Sequence, residues 1–133
     1  MILSGKRILV AEDEMLVGLL LEQALLRQNC TVLGPMSTLA QTLEAARTFP
    51  LDAAILDRNL RGEDVLPAAE LLFDRGIPVL FCSGYGQDPD LPAHLRAVPV
   101  LHKPYLEAGM IAALSGLLRD PGRLPSGRTL IPS

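Results

Sequence analysis

No run of lysine or arginine occurs anywhere in the 133 residues, whose formal net charge is −3. A nucleic-acid footprint needs a basic patch or stripe, so this composition argues against such a partner. Nor is any apolar stretch long enough to cross a bilayer. The longest nearly unbroken one, Met15 to Leu21, falls far short of the ~20 residues of a spanning helix. The opening "MILSGKR" lacks the apolar core and small-residue cleavage site of a secretory signal. These absences set the expectation of a soluble, cytoplasmic protein without a membrane partner. Cysteine is scarce too. Cys30 and Cys82 make neither a CxxC pair nor a disulfide framework. Each lies in apolar surroundings, which suits a buried structural thiol. No GxGxxG or Walker-type glycine loop follows the first apolar run, which removes the usual phosphate cradle of a nucleotide-binding domain.

What the chain does have is apolar bulk and alternation. Hydrophobic residues make up 49%, enough for one domain with its own core. Short apolar runs, "RILVA" (7–11), "TVLG" (31–34), "AAILD" (53–57), "PVLFC" (78–82) and "VPVL" (98–101), read as strands. Helical spacing fills the gaps between them. Val17, Leu20, Leu21, Ala24 and Leu25 predict the buried face of a first helix. Ser37 is the expected N-cap of a second over "TLAQTLEAARTF". Glu63 and Asp64 suit the first turn of a third, which Gly76 would stop. "LPAHLRA" predicts a helix of one or two turns, and "YLEAGMIAALSGLLR" the last helix. Strands alternating with helices imply βαβ units, and continuously apolar strands imply a sheet covered on both faces. The fold expected is therefore α/β, a doubly wound five-stranded parallel sheet over residues 1–119. The Pro-, Gly- and Ser-rich residues 120–133 read as a loose tail.

In an open parallel sheet the working crevice lies at the carboxyl ends of the strands. There the first strand delivers Glu12 and Asp13, the third Asp57, the fourth Ser83 and the fifth Lys103. The crowding of Glu12, Asp13 and Glu14 calls for an explanation. At an effective dielectric near 20, two like charges ~4 Å apart cost on the order of 4 kcal/mol. An acidic cap on the following helix would explain the triplet alone. Its convergence with Asp57, however, makes an oxygen-rich site for a hard cation such as Mg²⁺, which would offset the repulsion. A carboxylate beside Mg²⁺, with an amine and a hydroxyl nearby, is equipped to accept a phosphoryl group. Asp57 is then the nucleophile, Asp13 holds the metal, and Glu12 acts directly or through a water. Lys103 and Ser83 would contact the phosphoryl oxygens.

"AEDE" after the first strand, Asp57, Ser83 and "KP" at 103–104 make residues 6 to about 119 resemble a response-regulator receiver domain. The resemblance implies a flavodoxin-like (β/α)5 fold with strand order 2-1-3-4-5. It also implies phosphorylation of Asp57 by a sensor histidine kinase or a histidine phosphotransfer protein. Mg²⁺ would sit on Asp13, Asp57 and the backbone carbonyl of Asn59, and the Lys103–Pro104 peptide would be cis. "FCSGYG" (81–86) with "DRNLRGE" (57–63) is similar to the single-domain receivers of alphaproteobacteria that carry a Phe-Ala-Thr-Gly-x-Tyr motif. Cys82 and Ser83 depart from its alanine and threonine, and Leu101 stands where ordinary receivers place the switching Tyr or Phe. Tyr85, in the loop after Ser83, is either the replacement switch, acting with Ser83, or a residue that merely packs on the surface. Output would go to a downstream protein through a switched surface, or the chain would act as a phosphate sink.

Two other readings compete. A receiver-like docking module that is never phosphorylated keeps the fold without the chemistry. A small Mg²⁺-dependent phosphatase would want a second acid two residues beyond Asp57, where Asn59 stands. The chain is thus expected to be a signalling protein, with self-catalysed phosphorylation and dephosphorylation but no classical enzyme activity.

Overall fold

The computed structural model describes residues 2–84 and 91–119. Its elements run β1 (Arg7–Ala11), α1 (Met15–Arg27), β2 (Thr31–Met36), α2 (Leu39–Thr48), β3 (Ala53–Asp57), β4 (Asn59–Leu60), β5 (Glu63–Asp64), α3 (Leu66–Asp74), β6 (Val79–Ser83), β7 (Val100–His102) and α4 (Glu107–Arg119). Five of the strands form one parallel sheet in the order β2-β1-β3-β6-β7. Counting only those five, this is the 2-1-3-4-5 order of the flavodoxin-like fold. "LPAHLRA" shrinks to a three-residue 3-10 turn, Ala93–Leu95, so the described residues hold four α-helices.

Alternation along each strand divides the core in two. Leu9, Ala11, Ala54, Leu56 and Phe81 point toward α2 and α3, where Ala45, Ala46, Ala68, Ala69 and Leu72 meet them. Ile8, Val10, Ile55, Leu80 and Cys82 point the other way, against Leu21, Ala24 and Leu25 of α1 and Met110 and Leu114 of α4. Both cysteines are buried, free thiols. Among the described residues, no helix is long and apolar enough to cross a membrane.

Several local expectations give way. The N-cap of α2 is Thr38, not Ser37: its side chain accepts from the Gln41 N–H, while Gln41 Oε1 accepts from Ser37. This reciprocal pair is a capping box displaced by one residue. Glu63 and Asp64 do not enter the helix. They pair antiparallel with Asn59 and Leu60, and α3 begins at Leu66, with Pro67 in its first turn. The turn of that small hairpin is Arg61-Gly62, with φ of +52° and +86°, as a two-residue hairpin loop with both central residues left-handed requires. On α1 the buried positions are Gly18, Leu21, Ala24 and Leu25. Leu20 is instead 60% exposed, because one sheet face cannot cover so broad an apolar surface. Gly76, at φ +73°, does end α3 as expected.

β2 also runs on to Met36, beyond the expected Gly34. Pairing with β1 goes from Leu9↔Leu33 to Ala11↔Met36, so β2 carries one extra residue, a bulge. Gly34 sits there at φ +113°. A Cβ at Gly34 would lie 2.5 Å from the Val10 carbonyl oxygen, so only glycine fits. Among the described residues two peptide bonds are cis, the expected Lys103–Pro104 and also Gly34–Pro35.

Candidate functional site

Each strand that ends at the site does so where the apolar run meets polar residues. Asp57 closes β3 opposite Cys82, and the Arg58 N–H donates to the Cys82 carbonyl at 3.0 Å. Ser83 closes β6, buried, and its carbonyl accepts from the Lys103 N–H at 2.9 Å. That bond sets Lys103 directly beyond β7, so its side chain can reach back across the strand ends.

The amine of Lys103 lies among three carboxylates. Nζ is 2.9 Å from Asp57 Oδ2, 3.0 Å from Glu12 Oε1 and 3.2 Å from Glu14 Oε1. Much of the repulsion within the acidic triplet is therefore met by the protein's own ammonium, a partner that linear spacing could not reveal. Glu14 gains a role the sequence reading had not assigned to it. Burial disfavours the charged amine, but the bonds and charges of Asp57 and Glu12 outweigh it and raise the Lys103 pKa. Lys103 thus stays protonated.

Glu12 is the most enclosed member, 3% exposed. Its N–H donates to the Met36 carbonyl at 2.9 Å, and its Oε2 accepts from the Glu14 N–H at 3.1 Å. Desolvation pushes its pKa from 4.5 to about 7, against the lowering effect of the Glu14 N–H and Lys103, with Asp57 adding to the rise. Oε1 is buried without an aligned hydrogen bond, despite its ion-pair contact with Lys103.

Glu12, Asp13 and Asp57 each offer one oxygen, and those oxygens all lie within 4.8 Å of one another. Hard carboxylate donors, one of them an underused buried oxygen, fit Mg²⁺. Asp13 is oriented by the hairpin: its Oδ2 accepts from the Arg61 N–H at 2.7 Å. The Asn59 N–H donates to Asp57 Oδ1 at 3.2 Å, and Asn59 Oδ1 accepts from the Gly62 N–H at 2.7 Å. Arg58 lies with its guanidinium 5.4 Å from the Phe81 ring centre and 3.6 Å from Asp64. The structure thus brings Glu12, Asp13, Asp57 and Lys103 together, with Ser83 and Asn59 at adjoining strand ends. Tyr85 lies outside the described residues.

Leu101 is partly buried against the core on the α1 side. Tyr105, which the sequence reading passed over, lies beside the Cys82 thiol with its hydroxyl buried and short of a hydrogen-bond partner. Burial raises both groups, the thiol to about 12. The only hint in sequence was an aromatic just after "KP".

Comparison with solved structures gives this geometry its relatives. SdrG from Sphingomonas melonis Fr1 is 39% identical, over 89% of this chain and 99% of that one, with a TM-score of 0.72. The chain belongs to the response-regulator receiver family. The BeF3-activated conformation of SdrG from Pseudomonas melonis Fr1 is 40% identical over 86% of this receiver and 98% of that chain, at a TM-score of 0.69. A response regulator receiver protein from Sinorhizobium medicae WSM419 is 25% identical over 90% of this receiver and 98% of that chain, at 0.73. No family model matches the sequence, and no curated protein matches it.

Proposed function

We propose that this receiver acts in a response regulator of the cytoplasm that takes a phosphoryl group on Asp57. The donor would be the phosphohistidine of a sensor kinase or of a histidine phosphotransfer protein. The observation that carries the proposal is the Lys103 amine held 2.9 Å from Asp57 Oδ2 beside a buried carboxylate cluster. An Asp57 oxygen attacks phosphorus, the P–N bond breaks, and the histidine nitrogen leaves with the pair, giving an acyl phosphate. Asp13, Asp57 and the Asn59 carbonyl would hold Mg²⁺, with Glu12 direct or through a water; the ion supplies neutralising charge for the phosphoryl oxygens. Lys103 places its ammonium against the same oxygens, and the Ser83 hydroxyl donates to one of them.

The new group brings about −1.5 to −2 charge. Lys103 then has a stronger partner than Glu14, and the loops after β6 and β7 shift with it. Tyr85 would report that shift to a downstream protein, in place of the aromatic absent at Leu101. Its support is the sequence motif alone.

Acetyl phosphate, with and without Mg²⁺, tests the reading on the wild type and on Asp57→Ala. The expected result is an acid-labile mass gain that requires both Mg²⁺ and Asp57. A folded protein that gains no mass and binds neither Mg²⁺ nor beryllofluoride is a docking module. A gain surviving Asp57→Ala means another nucleophile.

A further inference from the structure

The bulge in β2 lies in the one sheet strand that sends no ionisable side chain to the site, yet its backbone holds the most enclosed site residue. After the extra residue, the Met36 carbonyl comes into line to accept from the Glu12 N–H at 2.9 Å. Pro35, inside the bulge, faces Gly18 of α1. A Cβ built on Gly18 of α1 would lie 3.1 Å from both Cβ and Cγ of Pro35, and 3.7 Å from Cγ of Glu12. Helix, bulge and the Glu12 stem therefore meet at one point, and Gly18 is the residue that leaves room for it. Gly34 is required for the bulge itself, since neither its φ nor the Val10 carbonyl tolerates a side chain.

We infer that Gly18 and Pro35 are positioning residues for Glu12: the close approach of α1 to the β2 bulge fixes where the Glu12 carboxylate stands beside Asp13 and Asp57. This rests on the reading of the cluster as an Mg²⁺ site, and it concerns residues that touch neither metal nor phosphoryl group. Glycine in mid-helix is ordinarily a liability, because alanine is the better helix former. Keeping one at position 18 exchanges helix propensity for a contact distance. The exchange makes the inference testable, since propensity and positioning respond to alanine in opposite directions.

The variant is Gly18→Ala, measured by calorimetric titration with Mg²⁺ alone and by thermal unfolding without metal. A merely structural glycine, replaced by alanine, would move stability and metal affinity together. Positioning separates them. The added methyl forces Pro35 aside by a few tenths of an ångström, while Glu12 Cγ stays at ordinary contact distance. The shifted bulge carries the Met36 carbonyl that holds the Glu12 N–H, so Mg²⁺ binding weakens by roughly tenfold, the low end for residues supporting metal ligands. The melting temperature stays level or rises. Against a Pro35→Gly background, which removes both ring atoms the methyl meets, the same Gly18→Ala change costs less than about twofold, as contact coupling requires. Two results overturn the inference: an unchanged Mg²⁺ affinity in Gly18→Ala, or a tenfold loss that persists without the proline ring.

Hydrogen exchange of the Glu12 amide gives a readout that needs no metal. Gly18→Ala should speed it by about tenfold through loss of the bond to Met36, and an unchanged rate counts against the inference. If the wild type fails to bind Mg²⁺, the metal reading of the cluster falls, and the amide rate alone then decides whether Gly18 and Pro35 hold Glu12.

Discussion

The two faces of the sheet carry similar apolar strands and end up differently finished. On one, α2 and α3 present small residues, Ala45, Ala46, Ala68 and Ala69, and the buried layer there includes the whole of Leu72. On the other, α1 carries far more bulk than it can bury: Met15 is 89% exposed, Leu16 68% and Leu20 60%. There α1 and α4 flank a groove of about 520 Å³ lined by Val17, Leu20, Leu21, Pro104, Tyr105 and Met110, with Glu14 and Lys103 also on its wall. The difference teaches that hydrophobic content does not by itself close a layer. Small side chains let helices settle onto a sheet; large ones fill space only where the helix turns them inward. The finished face supports the fold, and the unfinished one adjoins the charged site.

The comparison breaks most visibly at Leu72. Leu72→Ala, at a fully buried position, should cost about 2–5 kcal/mol, read as a drop in urea midpoint at constant slope. A loss below 1 kcal/mol would mean that face is less tightly packed than described.

A smaller effect comes from Glu12, whose pKa is raised from 4.5 to about 7. A carboxyl that holds its proton more tightly when folded contributes fully below pH ~4.5 and loses that contribution as pH rises through about 7. The loss is on the order of 3 kcal/mol, at 1.36 kcal/mol per pKa unit. Glu12→Gln cannot ionise, so wild type should lose stability relative to it between pH 4.5 and 8. Urea midpoints that run parallel across that window would refute the shift.

The smallest effect belongs to the open face. Leu16→Gln and Leu20→Gln should each change stability by less than about 0.5 kcal/mol, while lowering the fluorescence of a dye that binds exposed apolar surface. A larger loss in either would show that α1 is better covered than its exposure indicates.

Much of this was legible in sequence, for identifiable reasons. β1, β3 and β6 are short, nearly continuous apolar runs, buried on both faces, the pattern of strands in a covered parallel sheet. Asp13, Asp57, Ser83 and Lys103 could be assigned to one edge because a parallel sheet collects its strand ends there. The hairpin at β4 and β5 was not legible. Its turn uses Arg61 at positive φ, a conformation more often signalled by asparagine or glycine. The identity of the α2 cap was ambiguous because Ser37 and Thr38 are adjacent, and the Gln41 N–H decides between them only in three dimensions. The breadth of the α1 stripe was misjudged for a different reason. Helical periodicity says which residues share a face, not how much of that face the sheet can cover. Glu14 was missed because its partner is 89 residues away.

The two buried thiols can report local opening of the fold. Cys30 and Cys82 are 6% and 1% exposed, one just beyond the end of α1 and the other in the strand paired with the Asp57 strand. A thiol-specific reagent can reach either only when the surrounding structure opens. Their alkylation rates therefore work as two clocks, one set by opening behind α1 and one by opening at the strand beside Asp57. No tag or engineered label is needed to read them separately.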